Sequence, residues 1–119
     1  MNAHSAILDG EIVVVDKITG TQVQFGLNKP VAREGDHEEG EYRLCYKIFD
    51  ILYVRGFRGE ECNMMNLKLS DRRKVLKRVV KTIPMHVELV PVVETNKFDD
   101  IITAFDGAVL RNEEGIIIK

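Results

Sequence analysis

The sequence predicts an α+β domain in which a mostly antiparallel sheet is flanked by helices. Its 119 residues are 45% hydrophobic and 30% charged, with three prolines, which is the composition of one globular domain. Runs rich in β-branched residues indicate strands, and two segments repeat apolar residues at helical spacing. Strands and helices are mixed along the chain and do not alternate strictly, which disfavours a parallel, Rossmann-like sheet.

The first predicted element is a hairpin. Residues 6–15 form a β-branched run, residues 16–20 carry turn formers, and residues 21–25 supply the second strand. Residues 26–41 are polar, contain glycine and show no clear period, which predicts a loop. This loop separates the hairpin from the next strand.

A buried strand and a helix come next. Residues 43–54 are too apolar for a half-exposed strand and precede a turn signal at 55–59, so we expect a buried strand that ends at a reversal. Ser70 fits a helix N-cap, and Pro84 stands where the helix has to stop. The apolar residues at helical spacing in this segment are Leu69, Leu76, Val80 and Ile83.

The remaining elements are two strands and a helix. Residues 87–93 predict a strand in which Pro91 favours an edge or a bulge. Residues 97–110 predict a second helix, and residues 115–119 predict the beginning of another strand. Neither an internal repeat nor a linker appears in the sequence, so we expect one domain. The apolar face of the second helix consists of Phe98, Ile101, Ile102 and Phe105.

The charge pattern leaves one segment open to two interpretations. A net charge of -2 excludes a strongly basic module that binds nucleic acid by bulk charge alone. The segment from Lys68 to Lys81 is nevertheless rich in Lys and Arg, in contrast to the acidic segment from Glu34 to Glu41. The basic segment fits either the solvated face of an amphipathic helix or a contact with phosphates.

Cysteine and histidine positions favour neither a disulfide framework nor a zinc site. Cys45 and Cys62 lack CxxC spacing and fit free thiols in a reducing compartment. His4, His37 and His86 are scattered without the spacing of metal ligands. The sequence has no signal-peptide pattern, no apolar stretch of about 18 residues and neither glycine-rich phosphate-binding loop.

Three short segments place charged or aromatic residues beside apolar runs: Asp9-Gly10-Glu11, Phe49-Asp50 and residues 113–119 (EEGIIIK). A carboxylate buried in such a run without a partner is costly, so it usually has a structural partner or a function. Taken singly, the segments also fit a bulge, an ordinary core position and a turn between a helix and a strand.

Taken in this order, the segments resemble the covalent nucleotidyltransferases, the family of ATP-dependent DNA ligases, RNA ligases and mRNA capping enzymes. LDGEIVVVD is similar to the family's motif III, YKIFDILYV to motif IIIa and EEGIIIK to motif IV. The Glu-Gly of motif IV is typical of ligases, and residues 69–76 resemble a leucine- and arginine-containing segment of DNA ligases. The resemblance implies that residues 1–119 are part of an ATP-grasp-like adenylation domain, from motif III through motif IV.

The resemblance also implies roles for individual residues. Glu11 would contact the ribose of ATP, and Phe49 would stack on the adenine. Glu114 would lie near the phosphates and a bound Mg²⁺, and Lys119 would reach a phosphate. Arg72 would either contact the DNA backbone or form a structural ion pair.

Cys45-Tyr46, followed by Ile48-Phe49-Asp50, resembles ligase IV of DNA end joining. That branch implies nicked or broken double-stranded DNA as a partner, a nuclear setting in repair and recombination, an end-joining scaffold protein and no membrane. Two alternatives stay open: a capping enzyme or RNA ligase fragment, and a non-catalytic module that binds a nucleotide or a protein. A Lys-x-Asp-Gly encoded upstream of Met1 would exclude the non-catalytic module.

The family's nucleophilic lysine lies in Lys-x-Asp-Gly, which precedes motif III, and we expect this chain to begin after it. Two segments come near this pattern. Residues 17–20 (KITG) lack the aspartate, and residues 97–100 (KFDD) lack the glycine. Both also follow motif III, so neither is expected to supply the nucleophile.

The 119-residue chain, incubated with labelled ATP and Mg²⁺, is expected to form no adenylated protein because it lacks a lysine in the required sequence. A denaturing gel of the labelled reaction checks this prediction. A labelled band that disappears in Lys17→Ala or Lys97→Ala would overturn it.

Overall fold

The computed structural model describes residues 2–23 and 40–119. Within these residues the predicted α+β class is confirmed, since strands form one four-stranded sheet accompanied by helices. No helix in this part of the chain is long and apolar enough to cross a membrane. The elements are β1 (Ser5–Asp16), β2 (Tyr42–Arg55), β3 (Glu61–Asn63), α1 (Leu69–Val79), β4 (Val87–Leu89) and α2 (Phe98–Leu110).

The long strand β2 organises the sheet because the other three strands all neighbour it. β3 pairs antiparallel with the end of β2, where Tyr53 lies opposite Asn63. β4 pairs parallel with an earlier part of β2, where Ile48 lies opposite Leu89. A parallel pair needs a crossover of a dozen or more residues, and the segment that contains α1 supplies it.

The chain forms two compact units. The first unit consists of residues 1–12 and 46–90, and the second consists of residues 13–45 and 91–119. The first unit therefore contains β3, α1, β4 and most of β2, whereas α2 belongs to the second unit. The expectation that residues 1–119 act as one domain stays a prediction.

The core of the first unit forms where α1 packs against the sheet. Leu76 and Val79 of α1 cluster with Ile48 and Ile51 of β2 and with Met64. Leu76 and Ile51 are completely inaccessible to solvent. Burial of one such aliphatic side chain contributes about 1.5–3 kcal/mol. This cluster is the main source of apolar stabilisation for α1.

Hydrogen bonds from the start of the chain satisfy the end of α1. The backbone N–H of Asn2 donates to the carbonyl of Val79 at 2.7 Å, and its side-chain Nδ2 donates to the carbonyl of Arg78 at 3.0 Å. The last carbonyl groups of a helix have no partner within the helix, so these two bonds satisfy groups that would otherwise need water.

Both predicted limits of α1 were wrong. The helix begins at Leu69 with Lys68 as its N-cap, and Ser70 lies inside the first turn. At the other end, Val80 has an extended backbone with φ -92° and ψ 123°. Ile83 is not helical but forms a bridge with Val87, because the chain has already turned towards β4.

The strands after α1 are shorter than predicted. The strand expected over residues 87–93 covers Val87–Leu89, and Pro91, which has no N–H to donate, lies just beyond it. Residues 115–119 form no strand. A strand needs a partner for its backbone groups, and apolar residues alone do not supply one.

The predicted hairpin is confirmed as far as the described residues extend. Val15 bridges Gln22 in antiparallel orientation, and the N–H of Val23 donates to the carbonyl of Val14 at 3.0 Å. Asp16 closes the turn, since its Oδ1 accepts hydrogen bonds from the two backbone N–H groups that follow Lys17. The rest of the predicted second strand, residues 24–25, and most of the predicted loop lie outside the described residues.

Gly10 allows β1 to approach β2 closely. A Cβ on Gly10 would lie 2.4 Å from the backbone carbonyl oxygen of Lys47 and 2.8 Å from the ring of Tyr46. The first contact involves backbone, so a larger residue requires one strand to move. The glycine is therefore needed for close packing of the two strands. The ring of Tyr46 occupies the space in which a side chain at position 10 would lie.

Gly10→Ala is expected to destabilise the protein by roughly 1–3 kcal/mol, because added volume forces a tightly packed region to shift. Urea unfolding checks this value. Gly107→Ala in α2 is the matched control, since its Cβ would approach only the flexible end of Arg111. The control is expected to be neutral or stabilising, because alanine favours helix over glycine. Equal stability losses in both variants would contradict the interpretation.

Candidate functional site

The candidate residue Glu11 lies on the face of β1 that points away from the core. Ala6 and Leu8 pack against the core of the first unit. Side chains alternate along a strand, so the residues between and after them point the other way. Ile7, Asp9 and Glu11 are all exposed, in agreement with this alternation.

Strand alternation predicts that the candidate residue Phe49 shares the face of the sheet on which Glu11 lies. Over residues 46–49, Tyr46 packs against the core and Ile48 is buried in it, so the half-buried Phe49 is expected to point to the opposite face. Gly10 faces the ring of Tyr46, which itself packs against the core. Glu11 follows Gly10 and therefore points to the opposite face, as Phe49 does.

The neighbouring residue Asp50 is held by Arg72 of α1. Arg72 Nε donates to Asp50 Oδ1 at 2.9 Å, and Nη2 donates to Oδ2 at 3.0 Å. Both side chains are mostly buried, with 17% of Arg72 and 8% of Asp50 exposed. The remaining Arg72 nitrogen, Nη1, donates to the carbonyl of Leu67 at 2.6 Å. Of the two roles considered for Arg72, the structural ion pair is observed, and every guanidinium nitrogen donates a hydrogen bond.

Hydrogen bonding to Asp50 raises the pKa of Arg72, with burial acting in the opposite direction. The guanidinium group therefore remains charged throughout the working pH range. Asp50 Oδ1 also accepts the backbone N–H of Ile51 at 2.8 Å. The carboxylate thus links α1 to β2 and also accepts a hydrogen bond from one backbone N–H group of β2. A DNA contact by Arg72 stays a prediction.

Arg73, which the sequence analysis did not single out, holds the backbone of Phe49. Its Nη1 donates to the carbonyl of Phe49 at 3.0 Å, and its Nη2 donates to the carbonyl of Val90 at 2.7 Å. This guanidinium group bridges β2 and the end of β4. No local pattern in the sequence marks Arg73 for this role, because its two acceptors lie 24 and 17 residues away along the chain.

The other two candidate residues lie in the second unit, after the C-terminus of α2. Asn112 adopts φ 59°, and the N–H of Glu113 donates to the carbonyl of Ala108 at 3.0 Å. This pattern is a Schellman motif, which ends a helix with a left-handed residue. Arg111 and Glu113 form a salt bridge of 3.0 Å, and their hydrogen bond raises the pKa of Arg111. Glu114 and Lys119 follow this motif, and both are exposed.

A comparison with known protein families supplies the assignment. The profile of the ATP-dependent DNA ligase domain matches residues 1–119, the whole chain. This chain belongs to the ATP-dependent DNA ligase domain family. The family is one of enzymes, and its description says that the ligase depends on ATP.

Several proteins with similar sequences are also named DNA ligases. The chain is 32% identical to DNA ligase 4 of Dictyostelium discoideum, over 98% of this chain and 11% of the relative. It is 29% identical to DNA ligase 4 of Coprinopsis cinerea, over 95% of this chain and 10% of the relative. It is 30% identical to the DNA ligase of Vaccinia virus, over 98% of this chain and 20% of the relative. The ligase domain described here thus spans about a tenth to a fifth of these proteins.

The first unit of this ligase domain contains three of the predicted site residues, and the second unit contains the other two. Glu11 and Phe49 share one face of neighbouring strands, while Arg72 lies on the helix packed against the opposite face. Glu114 and Lys119 belong to the second unit. The ligand-binding roles of Glu11, Phe49, Glu114 and Lys119 stay predictions, and so does a DNA contact by Arg72.

Arg72→Ala is expected to destabilise the ligase domain by on the order of 3 kcal/mol, because it leaves the Asp50 carboxylate buried without its cation. Urea unfolding measures the loss. Lys74→Ala is the control, since Lys74 and Asp71 are exposed and 3.8 Å apart, and such surface pairs contribute little. In the Asp50→Ala/Arg72→Ala double variant we expect a loss smaller than the sum of the single losses. An additive loss would show that the two residues act independently.

Proposed function

We propose that this chain is part of the ATP-binding catalytic domain of a DNA ligase that seals breaks through lysine-AMP and DNA-adenylate intermediates. The observation that carries the proposal is the common face of Glu11 and Phe49, within a chain of the ATP-dependent DNA ligase family. A carboxylate and an aromatic ring on one face of a sheet offer a nucleoside one polar and one stacking contact.

Phe49 is proposed to stack on the adenine ring. It is aromatic and half-buried, and its backbone is fixed by Arg73. A half-buried aromatic ring keeps exposed surface that can stack on a purine. Glu11, exposed on the neighbouring strand, is proposed to accept hydrogen bonds from the ribose hydroxyl groups.

Glu114 and Lys119 are proposed to act on the phosphate end of ATP, on the strength of the motif match. Magnesium commonly keeps several waters and uses one or two carboxylates together with substrate phosphates. Among the described residues, no group of three or more His, Cys, Asp or Glu side chains could hold a metal. One or two protein carboxylates are enough for Mg²⁺. The exposed Glu114 is proposed to supply one of them, and a bound Mg²⁺ would neutralise charge on the phosphates.

The proposed reaction begins when a lysine amine attacks the α-phosphorus of ATP and the bond to pyrophosphate breaks. The AMP group then passes to a DNA 5′-phosphate. A DNA 3′-hydroxyl attacks that phosphate, the new phosphodiester bond forms and AMP leaves. Lys-x-Asp-Gly does not occur in the 119 residues. Glu11 and Phe49 therefore have the role of binding and orienting the nucleotide.

The proposed setting is DNA repair and recombination. Relatives from Coprinopsis, Dictyostelium and Pongo abelii are named DNA ligase 4. These names support the proposal of a nuclear end-joining ligase that acts on broken double-stranded DNA with a scaffold protein. The poxviral relative, at a similar identity, supports the more general function of joining DNA.

Phe49→Ala is expected to weaken ATP binding by about tenfold, since loss of a stacking contact costs roughly 1–3 kcal/mol. Fluorescence titration of the 119-residue chain with a labelled ATP analogue measures the change. Phe57→Ala is the matched control, because Phe57 lies in a turn and is 72% exposed. Glu11→Gln is expected to weaken binding as well, while Phe57→Ala leaves it unchanged.

The joining activity is tested in a chimaera of the Vaccinia virus DNA ligase whose matching segment is replaced by this chain. The chimaera should seal a nicked duplex, and Phe49→Ala should slow formation of its lysine-AMP intermediate more than Phe57→Ala does. A folded chimaera that seals nicks equally well with either substitution would refute the role of Phe49.

A further inference from the structure

The surface of α1 that points away from the sheet is basic. Seven Lys or Arg residues and one acidic residue, Asp71, lie between positions 68 and 81. The structure divides these cations into two groups. Arg72 and Arg73 are used internally, as described above. The exposed cations in the last two turns of α1 and just after it are Lys74, Lys77, Arg78 and Lys81, here named the basic face.

The spacing of the basic face follows the helix. Leu76 and Val79 define the side of α1 that is buried in the core. Lys74, Lys77 and Arg78 are exposed, and residues three or four positions apart lie next to each other on a helix surface. Lys81 continues the series just beyond the helix end. The result is a row of positive charges on a scaffold held by the core.

The basic face has little internal use for its charges. Lys74 lies 3.8 Å from Asp71, but both side chains are largely exposed and their attraction is screened by water. Within residues 2–23 and 40–119, Lys77, Arg78 and Lys81 have no acidic side chain within salt-bridge distance. Three cations at the end of one helix, in a chain of net charge -2, form a local concentration of positive charge.

We propose that the basic face binds backbone phosphates of double-stranded DNA, at a place separate from the nucleotide-binding residues. This inference rests on the proposed function for the choice of DNA as the polyanion. Charge complementarity supports it, because duplex DNA offers phosphates at regular short intervals and Lys or Arg side chains neutralise them. Arg72 cannot take this role without giving up its bonds to Asp50 and Leu67.

The position of the basic face predicts what kind of contact it makes. α1 packs on the core side of the sheet, whereas Glu11 and Phe49 point to the opposite side. The basic face lies on the surface of α1 that is turned away from the sheet. It therefore holds DNA phosphates away from the bound nucleotide. It adds affinity for the duplex and leaves ATP binding unchanged.

The test compares two double variants of the 119-residue chain that each remove one lysine and one arginine. Lys77→Ala/Arg78→Ala removes two charges from the basic face. Arg58→Ala/Lys97→Ala removes two exposed charges elsewhere, on residues with no acidic partner among those described. Fluorescence anisotropy with a labelled 20-base-pair duplex, at several salt concentrations and without ATP, measures affinity and its salt dependence.

We expect Lys77→Ala/Arg78→Ala to reduce the slope of log affinity against log salt by about 2, since each phosphate contact contributes roughly one unit. The control variant should keep the slope of the unchanged chain, and so should Lys77→Arg/Arg78→Lys. Circular dichroism confirms that α1 is intact. Equal slope losses in both Ala variants would indicate bulk charge and overturn the proposal. No DNA binding by the unchanged chain, or tighter binding to an acidic peptide, would also overturn it.

Failure of this proposal can be distinguished from failure of the proposed function. The duplex measurement contains no nucleotide, and Phe49→Ala should leave the salt slope unchanged. Conversely, Lys77→Ala/Arg78→Ala should bind the labelled ATP analogue as the unchanged chain does. A chain that binds ATP through Phe49 but shows no effect at the basic face refutes only the DNA contact.

Discussion

An aspartate inside a buried strand has to be matched by a cation, and Asp50 meets that requirement through Arg72 on α1. The two hydrogen bonds between them are 2.9 and 3.0 Å long, and both groups are largely shielded from water. Charge-assisted, two-point contacts of this kind fix orientation as well as distance. This pair sets which side of α1 meets β2, because Arg72 can reach Asp50 from only one rotation of the helix.

The same orientation has consequences on both sides of the sheet. With Arg72 fixed, the adjacent Arg73 reaches the carbonyl of Phe49, so the helix also supports the backbone of the proposed adenine-stacking residue. On β1, Gly10 allows the close approach that keeps Glu11 beside β2. The core side of the sheet thus supplies rigidity, and the opposite side presents the residues proposed to contact ATP. A binding residue held by a second layer of hydrogen bonds loses less entropy when a ligand binds.

The sequence predicted those parts of the fold that depend on local patterns. The β1 strand, its turn at Asp16 and the helix over residues 98–110 follow from β-branched runs, turn formers and helical periodicity. The limits of α1 could not be predicted in this way, because Ser70 looks like a better cap than Lys68 and apolar spacing continues to Ile83. The parallel pairing of β4 is a non-local contact. The pairing of Asp50 with Arg72 joins residues 22 positions apart, and no local pattern specifies it.

In the segment 68–81, the surroundings of each Lys or Arg side chain decide whether it serves folding or binding. Arg72, Arg73 and Lys74 are consecutive in the sequence. A helix turns by about 100° per residue, so their side chains lie in different surroundings. Arg72 and Arg73 face polar acceptors at the edge of the core, and a buried guanidinium is stable only while those acceptors remain bonded to it. Lys74, Lys77 and Arg78 face water, where an ammonium or guanidinium group can exchange its hydration for a phosphate at little cost. The same composition therefore produces one set of cations committed to folding and another available for binding.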